Sequence, residues 1–114
     1  MSFPRRGDVY WVNLDPVVGS EIAKTRPAVI ISNDVGNEYA RRVIIAPITS
    51  GHTGRIYPFE VLVPVGEGGL AQDSKVVLDQ IRTVDKVRLG QRMGALSMPR
   101  LVEVDQAIRL SLAV

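Results

Sequence analysis

The sequence contains no cysteine. That removes a disulfide scaffold, thiolate zinc ligands and a cysteine nucleophile. Aromatics are sparse at 5%, with a single tryptophan, Trp11. Histidine is rarer still: His52 is the only one among 114 residues. A two-histidine proton shuttle within one protomer is therefore closed to this chain. No spaced set of His, Asp and Glu suggests a metal site, so no metal or other cofactor is expected. No apolar run is long enough to span a bilayer, and the first residues lack the charged-then-apolar pattern of a signal peptide. Cytoplasmic residence is the default expectation. The net charge is only +2, too mild to demand a nucleic-acid partner.

Hydrophobic residues make up 46% of the chain, enough for a packed core without staples. The length suits one domain, residues 1–114. The cations are grouped, at Arg5-Arg6, Lys24-Arg26, Arg41-Arg42 and Arg55. They are either a local basic surface, if the fold gathers these loops, or scattered solubility charges.

Short strands dominate the pattern. Gly7 to Leu14 reads as a strand with Tyr10 and Trp11 on opposite faces, and Trp11 is expected in the core rather than as a stacking platform. Pro27 to Ser32 is a near-continuous apolar run, hence a central buried strand. Asn33 to Asn37 is dense in turn formers and closes it. Val43 to Ala46 starts another strand, ending at Pro47-Ile48-Thr49-Ser50. Tyr57 to Val63 alternates, and Ser74 to Leu78 is a short strand continued by Gln80-Ile81. Thr83 to Gly94 is mixed, read as one small strand with turns. From Met98 the period changes: Leu101, Val104, Ile108 and Leu112 share one helical face. Ser97 suits the N-cap and Pro99 the first turn. Strands followed by one helix predict a small β-barrel or a strongly twisted antiparallel sheet with the helix packed on it.

The stretch from Asp15 to Pro27 lies between two strands and is too long for a tight hairpin. Gly19 and Ser20 allow unusual backbone angles or close approach to a ligand. Glu21, Lys24, Thr25 and Arg26 place an acid, two cations and a hydroxyl beside a strand entry. Pro27 biases Arg26 towards an extended conformation, so its guanidinium projects from a defined place. Such an arginine suits phosphate recognition; the plainer reading is a solvated surface loop.

Gly7-Asp8-Val9-Tyr10-Trp11-Val12, Leu14-Asp15-Pro16, Gly19-Ser20-Glu21 and Arg26-Pro27-Ala28-Val29 closely resemble the opening of the MazF/PemK family. Ala46 to Ser50, Tyr57 to Val61, Gly69 to Ser74, Gln80 to Lys86 and the terminal amphipathic segment resemble later family segments, in order along nearly the whole chain. The resemblance implies an SH3-like barrel of the MazF/CcdB kind, mainly β with a C-terminal helix, paired as a homodimer. It also implies a toxin of a toxin–antitoxin pair that cleaves RNA at a short sequence.

On that resemblance Arg26 and Thr49 occupy the family's catalytic Arg and Thr positions. A permanent charge with several donors fits phosphate binding and transition-state charge, but not a free-standing base. Thr49 can donate to a phosphate oxygen or orient the attacking hydroxyl; read without the resemblance it is an ordinary β-branched strand-end residue. Glu21 is either an assisting base or an orienter of Arg26. Ser20, Lys24, Ser50, Arg55 and Gln80 are candidate RNA contacts. His52 is a solvated loop residue or a base-contacting ring. The expected activity is metal-independent cleavage of single-stranded RNA, leaving a 2′,3′-cyclic phosphate and a 5′-hydroxyl. The expected partners are mRNA, a second copy of the chain and an acidic, partly disordered antitoxin segment, with no membrane. The alternative is a CcdB-like non-enzymatic poison that traps DNA gyrase on the same fold.

Overall fold

The computed structural model describes residues 3–114. Met1 and Ser2 lie outside them. The strands are β1 Asp8–Asn13, β2 Thr25–Ile30, β3 Arg42–Thr49, β4 Glu60–Val63, β5 Ser74–Val77, β6 Arg82–Asp85 and β7 Leu89–Ala95. The helices are α1 Asp34–Tyr39, between β2 and β3, and α2 Met98–Leu112, which ends the chain. All described strand pairs are antiparallel, in the order β4-β5-β3-β2-β1-β7. β3 is the hinge of the sheet. One edge pairs with β2, and the other pairs first with β6 and then, through Ile48–Val76 and Thr49–Lys75, with β5. Among the described residues β4 and β7 do not pair with each other, so the sheet stays open and the expected barrel is not closed.

Both faces of this sheet are buried, because side chains alternate along each strand. Val9, Val29, Ala46, Ile48 and Val76 pack on one face against Val104 and Ala107 of α2. Val12, Ala28, Ile30, Val43, Ile45 and Val84 form a second core, against which Val17 and Ile22 of the β1–β2 loop pack. That second core makes the loop part of the fold rather than a free excursion. A close approach fixes Gly69 opposite β7: a Cβ there would lie 2.2 Å from the Met93 carbonyl oxygen.

Several expectations need correction. Asn33 to Asn37 is not a simple turn. Asn33 Oδ1 accepts the Gly36 amide at 2.8 Å and caps α1, while Asn37 is buried and bonded to Ser32. Side-chain oxygens of asparagine satisfy helix N-termini as readily as they close turns. The strand expected from Tyr57 begins only at Glu60, since Tyr57 to Phe59 form the turn that enters it. Thr83 to Gly94 holds most of two strands joined by a 3₁₀ turn, not one. Gln80 lies in the turn after β5 rather than in a continued strand. In α2, Ser97 caps through Oγ and Pro99 sits in the first turn, as expected. Leu101, Val104 and Ile108 join the core, but Leu112 is 54% exposed, so the packed stripe stops at Ile108.

Candidate active site

The β1–β2 loop is held by hydrogen bonds at nearly every corner. Asp15 Oδ1 accepts the Lys24 amide at 2.9 Å, and the Lys24 carbonyl accepts the Leu14 amide at 2.9 Å. Lys24 adopts a positive φ of 69° there, which a β-carbon tolerates only when its surroundings impose it. Glu21 Oε1 accepts the Val18 amide at 2.6 Å. Gln80 Oε1 accepts the Ile22 amide at 2.8 Å, reaching across from the β5–β6 turn. Arg82 donates to the Leu14 carbonyl at 2.9 Å, and Arg88 to the carbonyls of Asn13 and Asp15.

At the loop's exit stands Arg26. It is exposed, and its Nε donates to the Ala23 carbonyl at 3.2 Å. Its terminal guanidinium nitrogens have no hydrogen-bonding partner among the described residues. The antiparallel β2–β3 ladder ends with Ala28 opposite Pro47, so the Arg26 end of β2 and the Thr49 end of β3 lie at the same end of the sheet. Thr49 is half-buried at the end of β3, and its Oγ1 accepts the Gly51 amide at 3.1 Å. The hydroxyl proton remains available for donation. Glu21 makes no ion pair with Arg26, so the orienting role considered for it is not what its geometry performs: it braces its own loop.

The loop from Ser50 to Phe59 flanks Thr49 on the other side. His52 sits at its tip with φ +56° and is exposed. The Arg55 guanidinium lies over the Tyr57 ring at 5.2 Å, and the Tyr57 and Phe59 rings stack at 5.5 Å. Beneath this loop Lys75 Nζ lies 3.0 Å from Glu60 Oε1, with both side chains only 7% exposed.

Two clefts open beside these elements. One is lined by Arg26, Thr25, Trp11, Ile48, Ser50 and Met93, among others. The other is lined by Glu21, Ile22, Pro47, Asp79 and Gln80 with Arg82. The structure thus brings Arg26 and Ser50 together, and Glu21 and Gln80 together, in separate hollows. Ser20 and Lys24 are exposed on the β1–β2 loop and line neither. Arg6, from the first basic group, is committed to an ion pair with Asp105 at 2.7 Å and to the Ile31 carbonyl. Among the described residues no three His, Asp or Glu side chains gather as a metal cluster.

Sequence reasoning missed two features. Trp11 is 40% exposed and lines the Arg26 cleft, instead of being core. Strand parity put Tyr10 and Trp11 on opposite faces but did not say which face would be covered. Lys75 was read as part of an apolar strand, and only Glu60, arriving from β4, explains its burial.

An open antiparallel sheet with a C-terminal helix thus carries an arginine with open terminal donors at a strand entry. Residues 5–112 match the family described as PemK-like, MazF-like toxin of type II toxin-antitoxin system, and the chain belongs to that family. A curated relative, Endoribonuclease MazF of Staphylococcus epidermidis, is 46% identical over 110 residues, spanning 96% of this chain and 92% of that protein. A crystal structure of MazF from Deinococcus radiodurans superposes with a TM-score of 0.85 at 28% identity, covering 100% of both chains. A MazE–MazF structure from the same organism matches with a TM-score of 0.77 at 25% identity, again over 100% of both chains.

Proposed function

We propose that this chain is a sequence-specific endoribonuclease that cuts single-stranded RNA, and that it is the toxin of a toxin–antitoxin pair. The observation that carries this reading is Arg26: a guanidinium with open terminal donors, lining a cleft with Trp11 and Ser50 at the same end of the sheet as Thr49. Together with the 46% identity to an endoribonuclease, this favours cleavage over gyrase trapping.

The reaction needs no covalent enzyme intermediate. The 2′-oxygen forms a bond to phosphorus as the bond from phosphorus to the 5′-oxygen breaks, and the departing 5′-oxygen takes a proton from solvent water, giving a 2′,3′-cyclic phosphate and a 5′-hydroxyl. Charge gathers on the non-bridging oxygens, where the Arg26 fork and the Thr49 hydroxyl donate. Glu21 lines the neighbouring hollow rather than the Arg26 cleft, and serves as base only for a strand that spans both; its second carboxylate oxygen, unpartnered among the described residues, would then take the proton of the 2′-hydroxyl. Ser20, Lys24, Ser50, Arg55 and Gln80 contact the strand, which is read as unstacked bases. The protein acts in the cytoplasm as a homodimer; no described helix is long and apolar enough to cross a membrane. An acidic antitoxin segment restrains it.

Purified protein incubated with end-labelled single-stranded RNA in EDTA tests this directly. Discrete cuts with cyclic-phosphate ends are expected, and Arg26→Ala should slow them by about 10²–10³-fold, as loss of a charge-stabilising donor does. Arg26→Lys should also fail, because a point charge cannot reproduce the planar fork. Intact RNA with the wild type, or undiminished cutting by Arg26→Ala, overturns the reading.

A further inference from the structure

We propose that the buried Lys75–Glu60 pair is a positioning device: it anchors the Ser50–Phe59 loop, and so sets how that loop and the Thr49 end of β3 meet the RNA. The proposal rests on the nuclease reading for its consequence, and on geometry alone for the anchoring.

Lys75 lies in β5 between Ser74 and Val76, where an apolar residue would fill the space without desolvating a charge. Burial of an ammonium is tolerated only when it is paired and hydrogen-bonded. Here Nζ lies 3.0 Å from Glu60 Oε1 and donates to the Arg55 carbonyl at 3.2 Å. Glu60 Oε1 also accepts the Tyr57 amide at 3.0 Å. Two points of the Arg55–Glu60 segment, the Arg55 carbonyl and the Glu60 carboxylate, therefore converge on the Lys75 ammonium, and the Tyr57 amide is held by the same Glu60 oxygen. In the β3–β5 ladder the same Lys75 stands opposite Thr49. The near end of the loop is tied to Thr49 itself, through the Gly51 amide on Oγ1.

Between these two ties the loop makes no strand pairing, and it contains Gly51, Gly54 and the positive-φ His52. Directional polar links at its ends, rather than apolar packing, determine where Ser50 and Arg55 sit. A loop so held presents donors at fixed places, which is what phosphate contact and base selection require.

Either single substitution leaves a lone buried charge and can simply unfold the chain, so the decisive variant removes both. Lys75→Met with Glu60→Leu replaces the pair by side chains of similar volume, a change that commonly preserves stability. Amide hydrogen exchange should then quicken by about tenfold or more within Gly51–Tyr57 and stay unchanged at Val29 and Ile45. On labelled single-stranded RNA, kcat/KM should fall by about tenfold or more, with cut sites scattered more widely than in the wild type. Wild-type loop exchange, or quickened exchange with wild-type rates and cut sites, overturns the proposal. Should the double variant fail to fold, Lys75→Arg decides: it keeps the charge but not the single-point geometry, and wild-type exchange and cut sites in it count against the device. A wild type that leaves RNA intact sinks the nuclease reading instead, and loop exchange still decides the anchoring.

Discussion

Gln80 accepts the backbone amide of Ile22 at 2.8 Å, joining two loops 58 residues apart. The bond holds the β1–β2 loop against the second core, where Ile22 packs. Gln80→Ala should therefore lower stability by about 1 kcal/mol, the net worth of such a bond, and slow RNA cleavage by loosening the approach to Arg26. Gln80→Glu keeps the acceptor and should hold stability within about 0.5 kcal/mol of wild type. Urea denaturation of both variants checks this. An equally stable alanine variant would mean the loop is held by its other bonds.

Trp11 is the only tryptophan, and it stands opposite Pro27 across the β1–β2 ladder, beside Arg26 in one cleft. A half-exposed indole there is placed to stack on a base. Binding of single-stranded RNA to Thr49→Ala, a variant expected to bind RNA without cutting it, should quench the Trp11 fluorescence. Adding Trp11→Ala should weaken binding by about 1–3 kcal/mol, the usual worth of one base–aromatic stack. Emission that ignores saturating RNA would remove Trp11 from the substrate path.

Glu67 and Arg100 give the fold an acid limit. Burial pushes the Glu67 carboxyl up, but hydrogen bonds from Arg100 and Ser97, with the Arg100 charge, outweigh it and hold the group below its ordinary value. Arg100 is raised in turn, chiefly by its bond to Glu67. A carboxyl with a depressed folded pKa binds its proton more readily in the unfolded chain. Its contribution is thus complete above the ordinary glutamate value of about 4.3 and is lost as pH falls below it. Glu67→Gln should be less stable than wild type at neutral pH, and the gap should narrow on acidification. Thermal melts from neutral pH down to about pH 3 would show it; a gap independent of pH would mean the carboxylate charge contributes nothing.

Lys24 at the end of the β1–β2 loop, Arg26 at the start of β2 and Arg55 in the loop after Thr49 are exposed cations. The surface proposed to meet RNA phosphates would equally suit an acidic antitoxin segment that folds on binding. RNA and such a segment should exclude each other, with both affinities falling as salt rises. Thr49→Ala is the bait, since it keeps the charges. RNA that stays bound under saturating antitoxin peptide would place inhibition on another surface.

The helix α2, its Ser97 cap, and the strands from Gly7 and Pro27 were legible because each carries its own signal: a period of 3.6, a capping hydroxyl, a β-branched run. The β6 and β7 strands were blurred, because β7 carries two glycines with Gln91 and Arg92 side by side and lies at the sheet edge, so it shows no clean alternation. Asn33 was misread because the same side chain closes a turn or caps a helix, and only the following residues' pairing decides which.

Local chemistry alone determined that the chain would be mainly strands with a terminal helix, and that a loop too long for a tight hairpin would precede Arg26-Pro27; the PemK-like family was legible as a resemblance of whole segments along the chain. Only the tertiary structure decided which of Tyr10 and Trp11 would be covered, because that depends on what packs over each face. It also decided that Lys75 would be buried. A lysine in a strand is ordinarily solvated, and this one is dry because the β3–β5–β4 register carries Glu60 and the loop above it to the same point. Register is set by pairing between distant segments, so a consequence of register cannot be read from either segment by itself.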